Sequence, residues 1–344
     1  MTSSATASSE PIQVALGCDQ NYYCGLLVTA VSMARNCSPG IGITFNVLDG
    51  GLTPESRSEL ERKCRSVHSD CSFNWINVNT ARFDKFPKFL DKGKMTYARL
   101  ILPEWLPNCD HVIYCDVDFL WLADIAELWA LRDDKILLQS VADGAYDHRN
   151  NEEKWFSSHG YTFDPNRYFC AGMCMLNLEM MRQESQTQKL LSFIENNPDI
   201  KAHDQTALNI MCHGRPDVRM LPWYWQFRTA PLVKHDNSHR PVIHFAADTP
   251  WRSLFFLRLL TDFHLLWFKI EAQIRGISTW TALHERYSAF RIITSRAIFL
   301  IASSSQLGHR ALRCMFHVLG RPESFTCLEP FLKKIKIQKQ WATF

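Results

Sequence analysis

Asp116 and Asp118 stand at the end of the apolar run His111-Val112-Ile113-Tyr114-Cys115, with Phe119-Leu120-Trp121-Leu122 directly behind them. A carboxylate set between hydrophobic segments is costly unless something compensates its charge, so this is where the chain looks chemical. In a strand, residues i and i+2 project to the same side, which brings both carboxylates onto one small target. A divalent cation that also carries phosphate oxygens suits such a pair. The same spacing serves a plainer purpose too, a strand end whose aspartates cap turns and a helix over 124–131.

Four other polar islands interrupt apolar surroundings. Gly17-Cys18-Asp19-Gln20-Asn21-Tyr22 follows the first strand, and in a doubly wound sheet the loop beyond a strand's carboxyl end is where nucleotides bind. Asp19 or Asn21 can hydrogen-bond a pyrimidine edge there, or simply make a turn. Thr96-Tyr97-Ala98-Arg99 lies in a helical segment approaching strand 111–115, and the planar fork of Arg99 can orient an anionic partner. His244 emerges from Val242-Ile243-His244-Phe245. An imidazole and two carboxylates make a reasonable Mn2+ or Mg2+ site when diphosphate oxygens fill the remaining positions; alone, His244 reads as a satisfied semi-buried histidine. His203-Asp204-Gln205-Thr206 opens a helix over 204–212, with Asp204 an ordinary first-turn residue unless that helix start faces the metal.

The elements that must position these groups alternate. Strands are expected at 14–17, 43–48, 73–78 and 111–115, with helices over 22–35, 54–66 and 95–105 between them. Thr53 and Pro54 read as an N-cap and N1 pair. Further strands are expected at 136–141, 173–178 and 242–246, and helices over 179–195 and 204–212. This alternation predicts an α/β fold, a sheet covered by helices on both faces. The polar and aromatic stretch 143–169 shows no period and reads as a loop insertion near the site.

Length and charge bound the rest. With 344 residues, 46% of them hydrophobic and 21% charged, the chain can bury a full core and is neither fibrous nor disordered. The net charge of +3 hides a division: residues 251–344 hold 14 Lys+Arg against 5 Asp+Glu, and the remainder holds 24 against 30. The basic residues of the C-terminal part are interleaved with apolar stretches, which fits an anionic membrane surface better than nucleic acid. Leu254–Ile270 and Ala289–Ala302 are apolar but carry charges, so they read as amphipathic helices that either pack in a core or lie on a membrane. The tail 331–341 mixes lysines with bulky apolar groups and reads as membrane contact. The 12 cysteines form no CxxC pair and sit in hydrophobic segments, which favours a reducing compartment over disulfides or zinc. The first ten residues show no basic-then-apolar leader pattern, and residues 1–11 are expected to be disordered.

Taken in order, these segments resemble glycosyltransferase family 8, whose members are retaining, nucleotide-sugar-dependent enzymes that include bacterial lipopolysaccharide galactosyl- and glucosyltransferases. The resemblance covers about residues 12–252. It rests on Ala15-Leu-Gly-Cys-Asp19-Gln-Asn21-Tyr22, Phe45-Asn-Val-Leu-Asp49, Thr96-Tyr-Ala-Arg99-Leu, Val112-Ile-Tyr-Cys-Asp116-Val-Asp118, Tyr168-Phe-Cys-Ala-Gly172, Asp204-Gln205 with Leu208-Asn209, and His244 before Pro250-Trp251. What it implies is a single-lobed GT-A domain with a Rossmann-like mixed sheet over 12–252, followed by a mainly helical, basic, membrane-associating region over 253–344. Asp19 and Asn21 would meet uracil and ribose of a UDP-sugar. Arg99, Val117, Ala171 and Gly172 would contact the donor, and Asp116, Asp118 and His244 would hold Mn2+, with Mg2+ an alternative.

The resemblance also gives Asp204 to the sugar hydroxyls and Gln205 to the β face of the anomeric carbon. An amide is a poor nucleophile, so same-face attack by the acceptor hydroxyl is easier to defend than a covalent intermediate. The implied acceptor is lipopolysaccharide core or another membrane-linked glycan, the implied location the cytoplasmic face of the inner membrane.

Three departures from the family pattern bear on this. Cys170 stands where the family has Asn before Ala-Gly, Thr206 where a second carboxylate is common, and Thr249 near the place of a pyrophosphate lysine, beside Asp248. His235, His239, Arg240 or Arg252 are candidates to replace that cation. An active enzyme with altered donor or acceptor preference, and a weakened relative kept for binding or scaffolding, are the two readings.

Overall fold

The computed structural model describes residues 10–87, 94–143, 146–200, 202–228, 239–246, 249–251, 261–293 and 295–296. Most of the N-terminal start, the basic tail 331–341, the end of the expected helix 289–302, and His235, Asp248 and Arg252 lie outside these residues. The chain divides into two compact units, the first Met1–Phe227 with Pro241–Ile243, the second Arg228–Arg240 with His244–Phe344.

The strands are β1 (Ile12–Cys18), β2 (Ile43–Asp49), β3 (Cys71–Asn77), β4 (His111–Cys115), β5 (Phe119–Trp121), β6 (Leu138–Ala142), β7 (Phe169–Asn177), β8 (Val218–Leu221), β9 (Phe227–Arg228) and β10 (Val242–His244). Seven of them form one sheet in the order β3-β2-β1-β4-β7-β6-β8, and β5-β10-β9 form a second. In the large sheet β1, β2, β3 and β4 run parallel, β7 runs antiparallel to both β4 and β6, and β6 is parallel to β8. Every residue of β4 and β7 is buried. A strand with one open face would alternate, so unbroken burial means that both faces are covered, as the α/β expectation required.

The helices are α1 (Tyr23–Asn36), α2 (Pro54–Val67), α3 (Leu102–Trp105), α4 (Ile125–Trp129), α5 (Tyr146–Ser158), α6 (Leu178–Gln183), α7 (Gln186–Asn196), α8 (Asp204–Met211), α9 (Asp262–Arg275) and α10 (Thr279–His284). Helix α1 is buried without a break from Gly25 to Ala34, which identifies it as a core helix. Thr53 caps α2 as expected, its hydroxyl accepting from Ser56 N–H at 3.2 Å with Pro54 next in line.

Several elements differ from the sequence-based expectation. The helix expected over 95–105 is a 3-10 segment, Lys94–Ile101, followed by the single turn of α3. Pro103 explains the change, because its ring would meet the carbonyl of residue 99 in a continuous α-helix and it has no N–H to donate. The helix expected over 179–195 is two helices, broken at Ser185, which adopts φ 54°. The stretch 143–169 is not a loop throughout: α5 lies within it. Its surface pattern is polar, but Trp155 and Phe156 are buried and pack against Tyr161, Phe163, Tyr168 and Phe193, so tertiary contacts hold a helix that periodicity does not announce.

In the second unit, Thr261 caps α9 and Gly276, at φ 71°, ends it. Phe263, Trp267, Phe268, Ala272 and Ile274 of α9 are buried, so of the two uses open for the apolar segment after 254, the described part serves core packing. Glu271 is buried on the same helix and pairs with Arg286 at 2.5 Å. Among the described residues no helix is long and apolar enough to cross a membrane.

Candidate active site

The chain runs β1, β2, β3 outward in one direction and then returns to place β4 on the other side of β1. That reversal makes the carboxyl ends of β1 and β4 the sheet's topological switch point, the place where open α/β sheets bind ligands. The two strands are in parallel register, Leu16 opposite Cys115, so the islands at 19–21 and 116–118 leave the sheet side by side. Asp19 turns its carboxylate onto Asn21 N–H (2.9 Å), opening a 3-10 turn, and Asn21 is exposed. Asp49, at the end of β2, serves the local backbone instead. Its Oδ1 accepts from the N–H groups of Gly51 and Leu52, and it pairs with Arg57 at 2.5 Å.

The 116–118 loop is fixed from two sides. Asp116 N–H donates to Gly172 carbonyl at 2.7 Å, tying the loop to β7. The carbonyls of Val117 and Phe119 both lie within 2.9 Å of the buried Thr29 hydroxyl on α1. Ala171 and Gly172 therefore border the aspartates through backbone, and the buried Val117 turns its carbonyl to the core helix.

Arg99 is the centre of the polar arrangement. Its side chain is almost fully buried, with Nη2 on Asp116 Oδ1 at 2.8 Å and Nε on Asp204 Oδ2 at 3.0 Å. Nη1 donates to the Ala171 carbonyl, and the guanidinium lies over the Tyr114 ring, 4.3 Å from its centroid. Burial works against the charge, but Asp116 and Asp204 outweigh it and hold the guanidinium well above its ordinary pKa. Tyr114 adds a hydroxyl to Asp116 Oδ1 at 2.8 Å, and Thr96 donates to Asp204 Oδ1 at 2.5 Å. Arg99, Asp116 and Asp204, read separately in the sequence, form one charge network.

His203 precedes Asp204 with φ 49° and ψ −113°, a conformation that non-glycine residues rarely adopt. Its Nδ1 lies 3.2 Å from Tyr97 Oη, which donates its own proton to the Pro87 carbonyl at 2.7 Å. With that proton committed, the tyrosine oxygen accepts, which puts the imidazole proton on Nδ1. Burial lowers the His203 pKa, with Asp204 opposing.

Gln205 is held on three sides. Its Oε1 accepts from Ala171 N–H (3.1 Å), and its Nε2 lies 3.1 Å from both Asp143 Oδ2 and Tyr168 Oη. Beyond them stands Glu152 of α5, 1% exposed, whose Oε2 accepts from Tyr168 Oη (3.0 Å) and Thr206 Oγ1 (2.9 Å). Burial raises the Glu152 pKa against those two hydrogen bonds. The position that the family gives to a second carboxylate is thus a threonine here, and the threonine is hydrogen-bonded to one. Asp143 and Glu152 are not among the residues that the sequence singles out, because nothing periodic marks 143–169 as more than a loop. The available signal was helical spacing: Glu152 lies three and four residues before Trp155 and Phe156, on the face those aromatics bury.

Strand β10 lies beside β5, the short strand that follows the aspartates, and His244 is its last residue. Asp116, Asp118 and His244 each offer one ligand atom, and these atoms lie within 4.8 Å of one another. Two carboxylate oxygens and an imidazole nitrogen are a donor set that suits a divalent cation such as Mn2+. Cys170 is buried on β7 and Thr249 is buried, whereas His239 and Arg240 are exposed.

Comparison with known proteins gives this geometry a lineage. The family model described as "Glycosyl transferase family 8" matches residues 13–254. The chain is 25% identical over 260 residues to General stress protein A of Bacillus subtilis, covering 68% of this chain and 85% of that protein. It is 29% identical over 210 residues to a "Putative glycosyltransferase" of Haemophilus influenzae, covering 60% and 61%. Against the lipopolysaccharide 1,2-glucosyltransferase of Escherichia coli it is 25% identical over 268 residues, covering 71% and 74%. Among solved structures, the galactosyltransferase LgtC in complex with donor and acceptor sugar analogues aligns with TM-score 0.62 at 21% identity, over 80% of this chain and all of that one, which supports the GT-A fold. With more than half its length matched by the family model, the chain belongs to glycosyltransferase family 8.

Proposed function

We propose that this protein is a metal-dependent retaining hexosyltransferase that moves glucose or galactose from a UDP-sugar to a saccharide acceptor. The observation that carries the reading is the grouping of Asp116, Asp118 and His244 at a sheet's topological switch point. Those three residues would hold Mn2+, or Mg2+ in its place, which would supply Lewis-acid stabilisation of the departing diphosphate. Asp19 and Asn21, at the end of the neighbouring strand, take the nucleoside. Arg99 holds Asp116 and Asp204 in fixed relation, so that the group facing the diphosphate and the group facing the sugar hydroxyls cannot drift apart. Gln205 lies beside the reacting carbon as a neutral dipole, and the acceptor hydroxyl attacks from the face the diphosphate leaves.

For the acceptor we infer lipopolysaccharide core or another membrane-linked glycan. Support comes from similarity to the E. coli lipopolysaccharide glucosyltransferase and from the excess of Lys and Arg after residue 250. This reading puts the protein peripherally on the cytoplasmic face of the inner membrane. Co-sedimentation with anionic vesicles, set against binding to RNA at the same salt, tests that assignment.

The deciding experiment for the chemistry is UDP release from UDP-glucose, UDP-galactose and their N-acetyl forms with Mn2+ present. Turnover of one donor, abolished in Asp118→Ala, is the expected result. UDP binding without turnover of any donor would overturn the enzyme reading and leave a binding or scaffold protein.

A further inference from the structure

We propose that Glu152 is a positioning residue for Gln205, acting through the Tyr168 hydroxyl to fix which way the Gln205 amide faces. The inference rests on the transferase reading for its consequence, but its geometry stands separately.

The assignment follows from counting protons. A carboxylate accepts and does not donate, so both hydroxyls on Glu152 Oε2 must give their protons to it. Tyr168 has one proton. Once it points at Glu152, the phenolic oxygen can only accept, and the neighbour that donates is Gln205 Nε2 at 3.1 Å. The second proton of Nε2 goes to Asp143 Oδ2 at 3.1 Å, another acceptor. The remaining amide atom is then necessarily Oε1, and it meets the Ala171 N–H, a donor. All three contacts agree on one orientation, and rotating the amide by half a turn would set oxygen against the Asp143 carboxylate and NH2 against an N–H.

Glu152 controls a second coordinate as well. Thr206 Oγ1 donates to it and accepts from Ala202 N–H at 3.0 Å. Thr206 lies in the first turn of α8, one residue after Gln205, and Tyr168 immediately precedes β7. One buried carboxylate therefore ties α5 to the start of both elements that frame Gln205. Burial of this carboxylate at 1% exposure is unfavourable unless its hydrogen bonds are made. A glutamine at 152 could donate to the Tyr168 oxygen and turn the phenolic proton toward Gln205, reversing the chain while keeping its shape.

The test compares Glu152→Gln and Tyr168→Phe, singly and together, with two readouts. The first is the donor kinetics: each single variant is expected to lower kcat roughly 10- to 100-fold with KM for the donor within about twofold, as for loss of orientation at the reacting centre. Because both break one chain, the double variant should lose little more than either single one. The second readout is the Gln205 side-chain NH2 signal in 15N-labelled protein, assigned by its loss in Gln205→Glu. Slow exchange of that NH2 with solvent in the wild type, and fast exchange in both single variants, is the expected pattern. An unchanged NH2 signal in either variant, a double variant whose loss multiplies, or a raised KM at unchanged kcat overturns the proposal. Should Glu152→Gln fail to fold, Glu152→Asp, which keeps the charge but withdraws it from the Tyr168 hydroxyl, takes its place in both readouts. If the wild type turns over no donor, the transferase reading fails and the NH2 signal still decides whether Glu152 orients Gln205.

Discussion

Replacing Arg99 with methionine keeps most of the side chain's volume and removes the charge that Asp116 and Asp204 share. Arg99 and Asp204 are each 5% exposed, so this half of the network has little solvent to fall back on. Removing one partner of a buried ion pair costs about 3–5 kcal/mol, because the remaining charge is left uncompensated. The Asp116 half contributes less, since its side chain is 31% exposed and water screens the pair. The expected total is therefore roughly 3–5 kcal/mol, a large fraction of the 5–15 kcal/mol of a typical domain. At roughly 2 °C per kcal/mol for a chain of this size, Tm should fall by roughly 6–10 °C. Scanning calorimetry and urea unfolding can both read this. Arg99→Lys should recover little, because one ammonium cannot span two carboxylates and the Ala171 carbonyl in the geometry of a guanidinium. Adding Asp204→Asn to Arg99→Met should return at least about 1 kcal/mol, a coupling that only a direct interaction produces. An Arg99→Met protein within about 1 kcal/mol of wild type, or a double variant whose losses simply add, would mean that Arg99 does not hold the two carboxylates together.

Two further outcomes follow from the site. Asp118→Ala and His244→Ala should each weaken Mn2+ binding at least about tenfold by isothermal calorimetry while Tm without metal changes little, because each removes one of three ligands; unchanged Mn2+ affinity would remove the metal site from the account. Glu152 gives a pH dependence: its pKa is raised in the fold, so between its unfolded value near 4.5 and the folded value the native state binds more protons than the unfolded chain. Stability from this group is fully present below about 4.5 and is lost as pH rises through the folded pKa. Glu152→Gln should remove that component, so its urea midpoint should gain on wild type as pH goes from about 4 to 7; a constant difference across that range counts against the buried carboxylate.

How much of this is legible in the sequence varies with the kind of interaction. Strand 111–115 is readable to the residue, because an apolar run ending in two carboxylates has few structural solutions. Thr53 with Pro54 is equally plain, since capping is a local matter between adjacent residues. Arg99 is readable as a group that orients an anion, but not as the ion that joins Asp116 to Asp204. Those residues lie 17 and 105 positions away in the chain, and only the sheet order brings them together. Helix α5 is hidden for a related reason: its polar residues give no period, and the aromatics that hold it come from 161, 163, 168 and 193. With α5 go Glu152 and Asp143, the groups that surround Gln205.

The backbone at His203 shapes how this protein can be improved. A residue with a side chain at φ 49° and ψ −113° carries strain on the order of 1–3 kcal/mol, and glycine would relieve it. A search for stabilising substitutions would therefore be drawn to His203→Gly. The same change removes the imidazole that Tyr97 positions, one residue before the carboxylate on Arg99. Glycine would relax the turn in place but widen the conformations its backbone can visit, so thermal tolerance gained at this position should be exchanged for control over where Asp204 and Gln205 stand.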